Sequence, residues 1–425
     1  MAPHRFDRRT FLLGSAGGAA SLALGCSSDH GGPYDDYFAA LNAFLRVRGP
    51  GRPVLLIDLD RFDHNLDLLR SAVGPDKVYR IVVKSLPSVA LLRYAMARTG
   101  TRHLMAFHQP FLNAIAADLP DAEVLLGKPL PAVAARTFYD RLATGTRFDP
   151  ARQLQWLIDS PDRARAYLGV AQSLGVRMQI APELDIGGHR AHVRTHDQLR
   201  GILEVVAAHP RHLALSGFMG YDAYAAGFPE GWRASLLRGS MEQYEAFVDV
   251  ARGEFGALYR PDLTRNGAGS QTVGLYQSDH VLNDLAAGSA AVMPTHFDID
   301  TLRAHRPAAF IATPVLKHRA GLDLPVLPIV GDLMRATNPN RENTWFIYGG
   351  NWKAEYTAPP GLTLNPIYGR SSNSEMLNGS DRIGLRVNDY VFLRPTQSEA
   401  VLLQFGDLWA VRKGTLEARW PVLGA

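Results

Sequence analysis

The sequence predicts an α/β fold, a (β/α)8 barrel of the TIM type followed by a C-terminal, mainly antiparallel β domain. Three observations predict it. Short runs rich in Val, Ile and Leu alternate with segments of helical period between residues 53 and 267, the layout of a parallel barrel. No glycine-rich dinucleotide fingerprint follows the first run, which argues against an open doubly wound sheet. After about residue 305 the alternation gives way to strand-like runs separated by turn residues, with little helix.

Composition excludes several classes. The chain has 425 residues, 46% apolar and 20% charged, so it can bury a large core. Lys and Arg total 45 against 41 Asp and Glu, and this scattered surplus of +4 does not predict a nucleic-acid partner. A single cysteine, Cys26, rules out a disulfide framework and a cysteine-based zinc cluster.

The first element is not part of the fold. Arg8-Arg9 precede an apolar, Gly/Ala-rich run from Phe11 to Gly25, which has the layout of a bacterial export signal of the twin-arginine type. The run is too short and glycine-rich for a good membrane span. It ends in Ala23-Leu24-Gly25-Cys26, like an imperfect lipoprotein signal, so Cys26 is either a lipid anchor or an incidental residue. Residues 1–26 are therefore read as leader, 27–40 as a polar tether, 41–304 as the barrel and 305–425 as the β domain. The expected location is periplasmic or membrane-anchored outside the cytoplasm. Twin-arginine export carries folded proteins, which points to a cofactor loaded before export. Arg5, Arg8 and Arg9 against Asp7 place half of the net charge in the leader.

The barrel strands are predicted at Val54–Asp60, Val78–Lys84, His103–Phe107, Glu123–Gly127, Leu154–Asp159, Arg177–Ile186, Leu213–Tyr221 and Asp262–Gly267. Helices are predicted between them at Arg61–Ala72, Ser88–Arg98, Pro110–Ala117, Pro131–Leu142, Asp162–Leu174, Thr195–Ala208 and Arg233–Phe255. Later strands are predicted at Ala308–Leu316, Val326–Asp332, Thr344–Tyr348, Asp389–Leu393, Val401–Phe405 and Leu408–Arg412.

In such a barrel, chemistry collects where strands end and loops begin. Lys84 follows Ile81-Val82-Val83, which carries its amine to the barrel mouth, partly desolvated and nucleophilic; a lysine snorkelling at a strand end is the structural alternative. Glu183-Leu184-Asp185-Ile186-Gly187-Gly188-His189-Arg190 makes a polar loop able to grip an anion or a phenolate, or simply to bridge itself. Tyr221 can stack on a planar ligand or pack. Asn266-Gly267-Ala268-Gly269-Ser270 and Ala287-Gly288-Ser289-Ala290 resemble the phosphate-binding loops that this fold builds late in the barrel. An amine, a phosphate cradle, a barrel mouth and a second domain together meet the needs of a pyridoxal phosphate enzyme.

These motifs, with Val54-Leu55-Leu56-Ile57-Asp58-Leu59-Asp60 and Val82-Val83-Lys84-Ser85, resemble in order and spacing the fold-type III pyridoxal phosphate enzymes, the alanine racemase-like barrels. The sequence is most similar to the branch of D-threonine aldolases, D-serine dehydratases and amino acid deaminase/aldolase proteins, over nearly all of residues 40–425. The resemblance implies that Lys84 holds pyridoxal 5′-phosphate and acts as a base. It implies a cofactor site of Asp185, Arg190, Tyr221, Asn266, Gly267, Gly269, Ser270, Gly288 and Ser289, and a homodimer.

In metal-activated members, a His-x-Cys or His-x-Asp pair binds the ion. Here Gln397-Ser398-Glu399 stands in that place and Gln397 is a poor ligand, so a divalent metal is not expected; Glu399 is its one weak candidate ligand. Ala290 replaces a tyrosine of the family pattern. Arg370, Ser371, Asn373 and Gln397 are candidates for the substrate carboxylate. Glu399, with its pKa raised by burial, is the candidate acid or base at a β-hydroxyl.

The implied function is a lyase acting on a D-β-hydroxy amino acid through an external aldimine, by retro-aldol cleavage or by dehydration. A racemase of the same fold, or an exported protein that binds cofactor or amino acid without catalysis, are the alternatives.

Overall fold

The computed structural model describes residues 27–322, 335 and 337–424. The leader, Cys26 and the expected strand Val326–Asp332 lie outside the described residues. Contacts divide the chain into two units. One holds Val47–Ala312, Trp352–Glu355 and Phe392 onward; the other holds the described residues up to Arg46, Thr313–Asn351 and Tyr356–Val391.

The second of these units begins with α1 (Asp36–Arg48), which opens inside the segment expected to be a tether. Phe38, Leu41 and Leu45 recur at helical spacing and are buried. Asn42 Nδ2 donates to Asp389 Oδ1 at 3.0 Å, and the Tyr34 hydroxyl donates to the Tyr390 carbonyl at 2.7 Å.

In the larger unit, β1 (Val54–Asp58) is followed by α2 (Leu59–Val73). The Asp58 carboxylate caps that helix by accepting from the Arg61 N–H at 2.9 Å. Leu59, Phe62, Leu66, Leu69 and Val73 form its buried stripe. Further helices alternate with strands: α3 (Val89–Thr99), α4 (Gln109–Asp118), α5 (Ala132–Asp140), α6 (Pro161–Leu174), α7 (His196–Ala208) and α8 (Glu230–Glu254). Their starts are legible in the sequence. Ser160 caps α6 with Pro161 at its first position, and Thr195 with Gln198 forms a capping box on α7.

The barrel strands are β2 (Val78–Val82), β3 (His103–Ala106), β4 (Glu123–Leu126), β5 (Leu154–Ile158), β6 (Met178–Leu184), β7 (Leu213–Leu215), β8 (Gly217–Gly220), β9 (Thr264–Gly267) and β10 (Asp284–Ala287). They are parallel and form a closed ring, with β7 and β8 as one strand interrupted at Ser216. Eight staves result. Closure comes from β10, which pairs with β2 through Asp284↔Val78 and with β9 through Asp284↔Asn266.

One expected stave is thereby corrected. Val54–Asp60 was expected to be the first barrel strand, but β1 lies in another sheet, where it pairs antiparallel with Ala309–Ala312 and parallel with β16 (Asp407–Arg412). Every residue of β1 is buried, and a run apolar on both faces suits either sheet. The true eighth stave, Asp-Leu-Ala-Ala, begins with a carboxylate and is dominated by small residues, so it lacks the branched pattern by which the others are read.

That carboxylate binds the closure together. Arg80 on β2 donates to Asp284 from Nε at 2.9 Å and from Nη2 at 2.6 Å, and Asn266 Nδ2 on β9 donates to the same carboxylate at 2.6 Å. Arg80 Nη1 also reaches the carbonyls of Leu104 at 3.0 Å and Glu123 at 3.2 Å. Both partners of the ion pair are only 3% exposed.

Among the C-terminal strands, β11 (Ala309–Ala320) runs from one unit into the other. In the smaller unit its far half pairs antiparallel with β12 (Asn343–Tyr348), and β13 (Thr363–Leu364) and β14 (Ser374–Gly379) continue that sheet. In the larger unit β16 pairs antiparallel with β17 (Thr415–Pro421), and β15 (Tyr390–Pro395) leads into residues 396–400. The expected strand Val401–Phe405 is instead a turn of 3-10 helix at Leu402–Phe405, ended by Gly406 in a positive-φ conformation. Val401, Leu402 and Phe405 are buried and Leu403 is exposed, a pattern without the alternation of a strand.

Replacing Arg80 by Leu would leave Asp284 buried without its cation and is expected to cost about 3–5 kcal/mol, read by urea denaturation at pH 7; a loss below about 1 kcal/mol would refute the closure role.

Candidate active site

All residues of the main cleft belong to the larger unit. The cleft opens where the barrel strands end and holds about 890 Å³ of space, the open mouth included. Lys84 stands at its base, in the single turn Val83–Ser85 that follows β2. Its Nζ lies 3.5 Å from Glu399 Oε1 and 4.8 Å from the centre of the Phe107 ring. The side chain is 45% exposed, so the amine is partly removed from water.

Glu399 is brought to Lys84 by the segment after β15. Ser85 donates to its Oε1 at 3.1 Å and Ser398 to its Oε2 at 3.3 Å, while Ser289 Oγ lies 3.4 Å from Oε1 and 2.9 Å from Ser85 Oγ. Burial pushes the Glu399 carboxyl up, but the Lys84 charge, with hydrogen bonds that include the one from Ser85, outweighs it and holds the group below the ordinary carboxylate range. The expected upward shift is therefore corrected: the Glu399 carboxyl is shifted down, held as a carboxylate beside Lys84.

The Glu183–Arg190 loop forms around Asp185. This buried carboxylate accepts the N–H groups of Gly187 at 3.1 Å and His189 at 3.0 Å, and Arg194 Nε lies 3.0 Å from its second oxygen. Asp185 thus shapes the loop that carries Arg190, whose guanidinium sits 5.1 Å from the centre of the Tyr221 ring. Tyr221 follows β8 and its ring walls the cleft.

The two glycine loops meet at Ser270, whose Oγ accepts the N–H groups of Gly288 at 3.0 Å and Ala290 at 3.1 Å. A Cβ on Gly288 would lie 2.8 Å from the Val82 carbonyl oxygen, and one on Gly269 would lie 3.1 Å from Tyr221 Cε2. Only backbone fits in these places, which lets the main chain approach a ligand closely.

Several expected site residues lie elsewhere. Asn266 is buried in the closure network, and Gly267 packs against Leu282, where a Cβ would fall 2.5 Å from a methyl carbon. Neither lines the cleft. Both belong to β9, with Gly267 its last residue, which is why a motif read as one loop divides into a stave and a cradle. Arg370, Ser371 and Asn373 belong to the smaller unit. There the fully buried Glu375 accepts from Arg370 at 3.1 Å and from the Ser371 N–H at 3.1 Å, and the Asn373 carbonyl accepts from Gly349. The Arg370 charge is thus already engaged. Gln397 is exposed and does not line the cleft.

Other cleft residues escaped the sequence reading. Phe107 directly follows β3, and Ser85 flanks Lys84. Glu183 lies two residues before Asp185 on β6, the spacing that places both on one face of a strand. It lines the cleft without a hydrogen-bond or ion-pair partner among the described residues. Burial pushes it up to about 7, with Asp159 and Asp185 adding and Arg190 opposing.

Lysine, guanidinium, aromatic walls and a backbone cradle with no room for side chains suit a phosphorylated aromatic aldehyde. Among the described residues, no group of three or more His, Cys, Asp or Glu is placed to hold a metal ion. Fold and cleft together define a barrel of the pyridoxal phosphate-binding class. The alanine racemase N-terminal domain family matches residues 57–295, and the chain belongs to that family, the barrel of the fold-type III enzymes.

Solved structures agree in fold. D-threonine aldolase from Filomicrobium marinum superposes with a TM-score of 0.67 at 17% identity, covering 87% of this chain and 94% of its own. D-threo-3-hydroxyaspartate dehydratase from Delftia sp. HT23 gives 0.66 at 15%, covering 88% and 97%. Alanine racemase from Bacillus anthracis gives 0.65 at 13%, covering 87% and 97%. No curated protein sequence matches the chain.

The raised Glu183 carboxyl makes a signed prediction. The folded state holds its proton between the usual carboxylate range and about pH 7, so the stability it contributes is present at low pH and lost as pH rises through 7. Melting of the cofactor-free protein at pH 5 and pH 8 should show a fall that Glu183→Gln reduces; parallel behaviour of the two proteins would contradict the assignment.

Proposed function

We propose that the protein is a pyridoxal 5′-phosphate-dependent lyase acting on a D-β-hydroxy amino acid, by retro-aldol cleavage or by dehydration. The observation that carries this reading is the Lys84–Glu399 pair at 3.5 Å in the mouth of the barrel. Lys84 would hold the cofactor, the Gly269–Ser270 and Gly288–Ser289 loops its phosphate, and Arg190 its phenolic oxygen, with Tyr221 beside the ring. When bound, the cofactor supplies an electron sink for charge developing at the substrate's Cα.

The protein's own part is to move protons. Glu399, held as a carboxylate by Lys84 and the serines, is suited to take the proton of a β-hydroxyl, the start of cleavage to glycine and an aldehyde. Lys84, once free as an amine, is suited to take the Cα proton, the start of dehydration to ammonia and a 2-oxo acid. Proton exchange across 3.5 Å lets the pair serve either route.

A racemase reading has its own support. Around the ring of strands β6 lies four steps from β2 in both directions, so Glu183 faces the cleft from the side opposite Lys84. Racemisation needs groups on two faces of the reacting carbon, and a carboxyl near 7 is a suitable second one.

The remaining parts of the reading concern the whole protein. We propose that residues 1–26 direct export, that Cys26 carries the lipid if the protein is anchored, and that the protein is a homodimer. No divalent metal is required in this reading.

Purified protein reconstituted with pyridoxal 5′-phosphate should show a visible absorption band that Lys84→Ala lacks; a colourless wild type would sink the proposal. D-threonine should yield glycine and acetaldehyde, or D-serine should yield pyruvate and ammonia, at rates unchanged by chelator. Loss of the Cα proton to solvent deuterium with the amino acid retained would instead establish the racemase. Membrane fractionation of wild type and Cys26→Ala tests the anchor, with the variant expected in the soluble fraction.

A further inference from the structure

Behind the cleft wall lies a carboxyl that the proposed chemistry does not use. Asp222 follows Tyr221 directly and its side chain is fully buried. Its Oδ1 accepts from the Thr272 hydroxyl at 2.7 Å, its Oδ2 accepts from the Tyr276 hydroxyl, and the Ala268 N–H also donates to it. Burial pushes this carboxyl up and these hydrogen bonds draw it partly back. A buried carboxyl is costly unless it is well hydrogen-bonded, and here, beside its own N–H, the donors come from the chain that forms or follows one cleft loop.

Thr272 passes the connection onward. Its Oγ1 accepts the Gly269 N–H at 3.1 Å, and its own N–H donates to the Gly269 carbonyl at 3.0 Å. Ala268 takes a positive φ of 66°, a conformation that L residues rarely adopt and that its surroundings must hold in place. Gly269 backs closely onto the Tyr221 ring, where a further carbon would lie 3.1 Å from Cε2. The aromatic wall and the glycine loop are therefore fastened to one buried group. Ordering a loop costs conformational entropy, and a loop ordered in advance leaves that cost out of ligand binding.

Resting on the pyridoxal phosphate reading above, we propose that Asp222 is a positioning residue. Through Thr272, Tyr276 and the Ala268 N–H it holds the Ala268–Ser270 loop against the Tyr221 ring, and so sets how tightly the cleft grips the phosphate of an aromatic, phosphorylated cofactor. Asp222 does not itself reach the ligand. Its effect is on the phosphate rather than the ring, which separates this role from a general contribution to folding.

The test is a pair of binding titrations on the cofactor-free full chain, with pyridoxal 5′-phosphate and with pyridoxal, both read by visible absorbance. Asp222→Ala and Thr272→Val are each expected to bind the phosphorylated form about tenfold more weakly than wild type, with pyridoxal affinity changed less than about twofold. Where Asp222→Ala does not fold, Thr272→Val, which keeps side-chain volume and loses the hydroxyl, decides the matter. Equal losses for both ligands, or unchanged affinity for the phosphorylated one, would overturn the positioning role while leaving the functional reading intact. A wild type that takes up neither compound would overturn both.

Discussion

The barrel depends on one buried ion pair. Arg80 and Asp284 are almost wholly removed from water, so each can remain charged only because the other is there and because backbone carbonyls and Asn266 complete their hydrogen bonds. The pair joins β2 to β10, the two strands whose meeting closes the ring. It also fixes register, since the carboxylate meets both Arg80 and Asn266 at only one sliding position of β10. The ends of β2, β9 and β10 are in turn the places from which Lys84, the Gly269 loop and the Gly288 loop project. The cleft therefore takes its geometry from a charge pair one layer beneath it.

Above that layer, the two acidic groups of the cleft are set in opposite directions by their neighbours. Glu399 has Lys84 and hydrogen-bonding serines around it and is held ionised. Glu183 has no hydrogen-bond or ion-pair partner among the described residues, and burial with Asp159 and Asp185 outweighs Arg190 and pushes it up to about 7. One carboxylate suited to accept a proton and one carboxyl able to hold one occupy opposite sides of the same mouth, which is the division of labour that acid–base chemistry at neutral pH requires. Local electrostatics, rather than residue type, separates their roles.

Much of the architecture was legible because it rests on local rules. The helices followed their apolar spacing and their caps, as with Ser160-Pro161 and Thr195-Gln198. Lys84, the Asp185–Arg190 loop and the Gly-Ser pairs were found because strand ends of a barrel converge, so residue types with chemistry at those ends meet in space. The failures came where pairing is nonlocal. The apolar run of β1 belongs to a sheet that includes β16, some 350 residues later in the chain, and the short, acidic β10 is a stave only by virtue of Arg80 and Asn266.

The sequence by itself determined the fold class, the order of helices around the barrel, the lysine and the glycine loops, because each depends on periodicity, capping or backbone freedom within a few residues. Only the tertiary structure decided which run closes the barrel, which residues of the Asn266–Ser270 motif reach the cleft, and in which direction the Glu399 carboxyl is shifted. Those outcomes turn on which distant charge or strand lies within a few ångströms, and burial makes such a neighbour count for more than any residue adjacent in the chain.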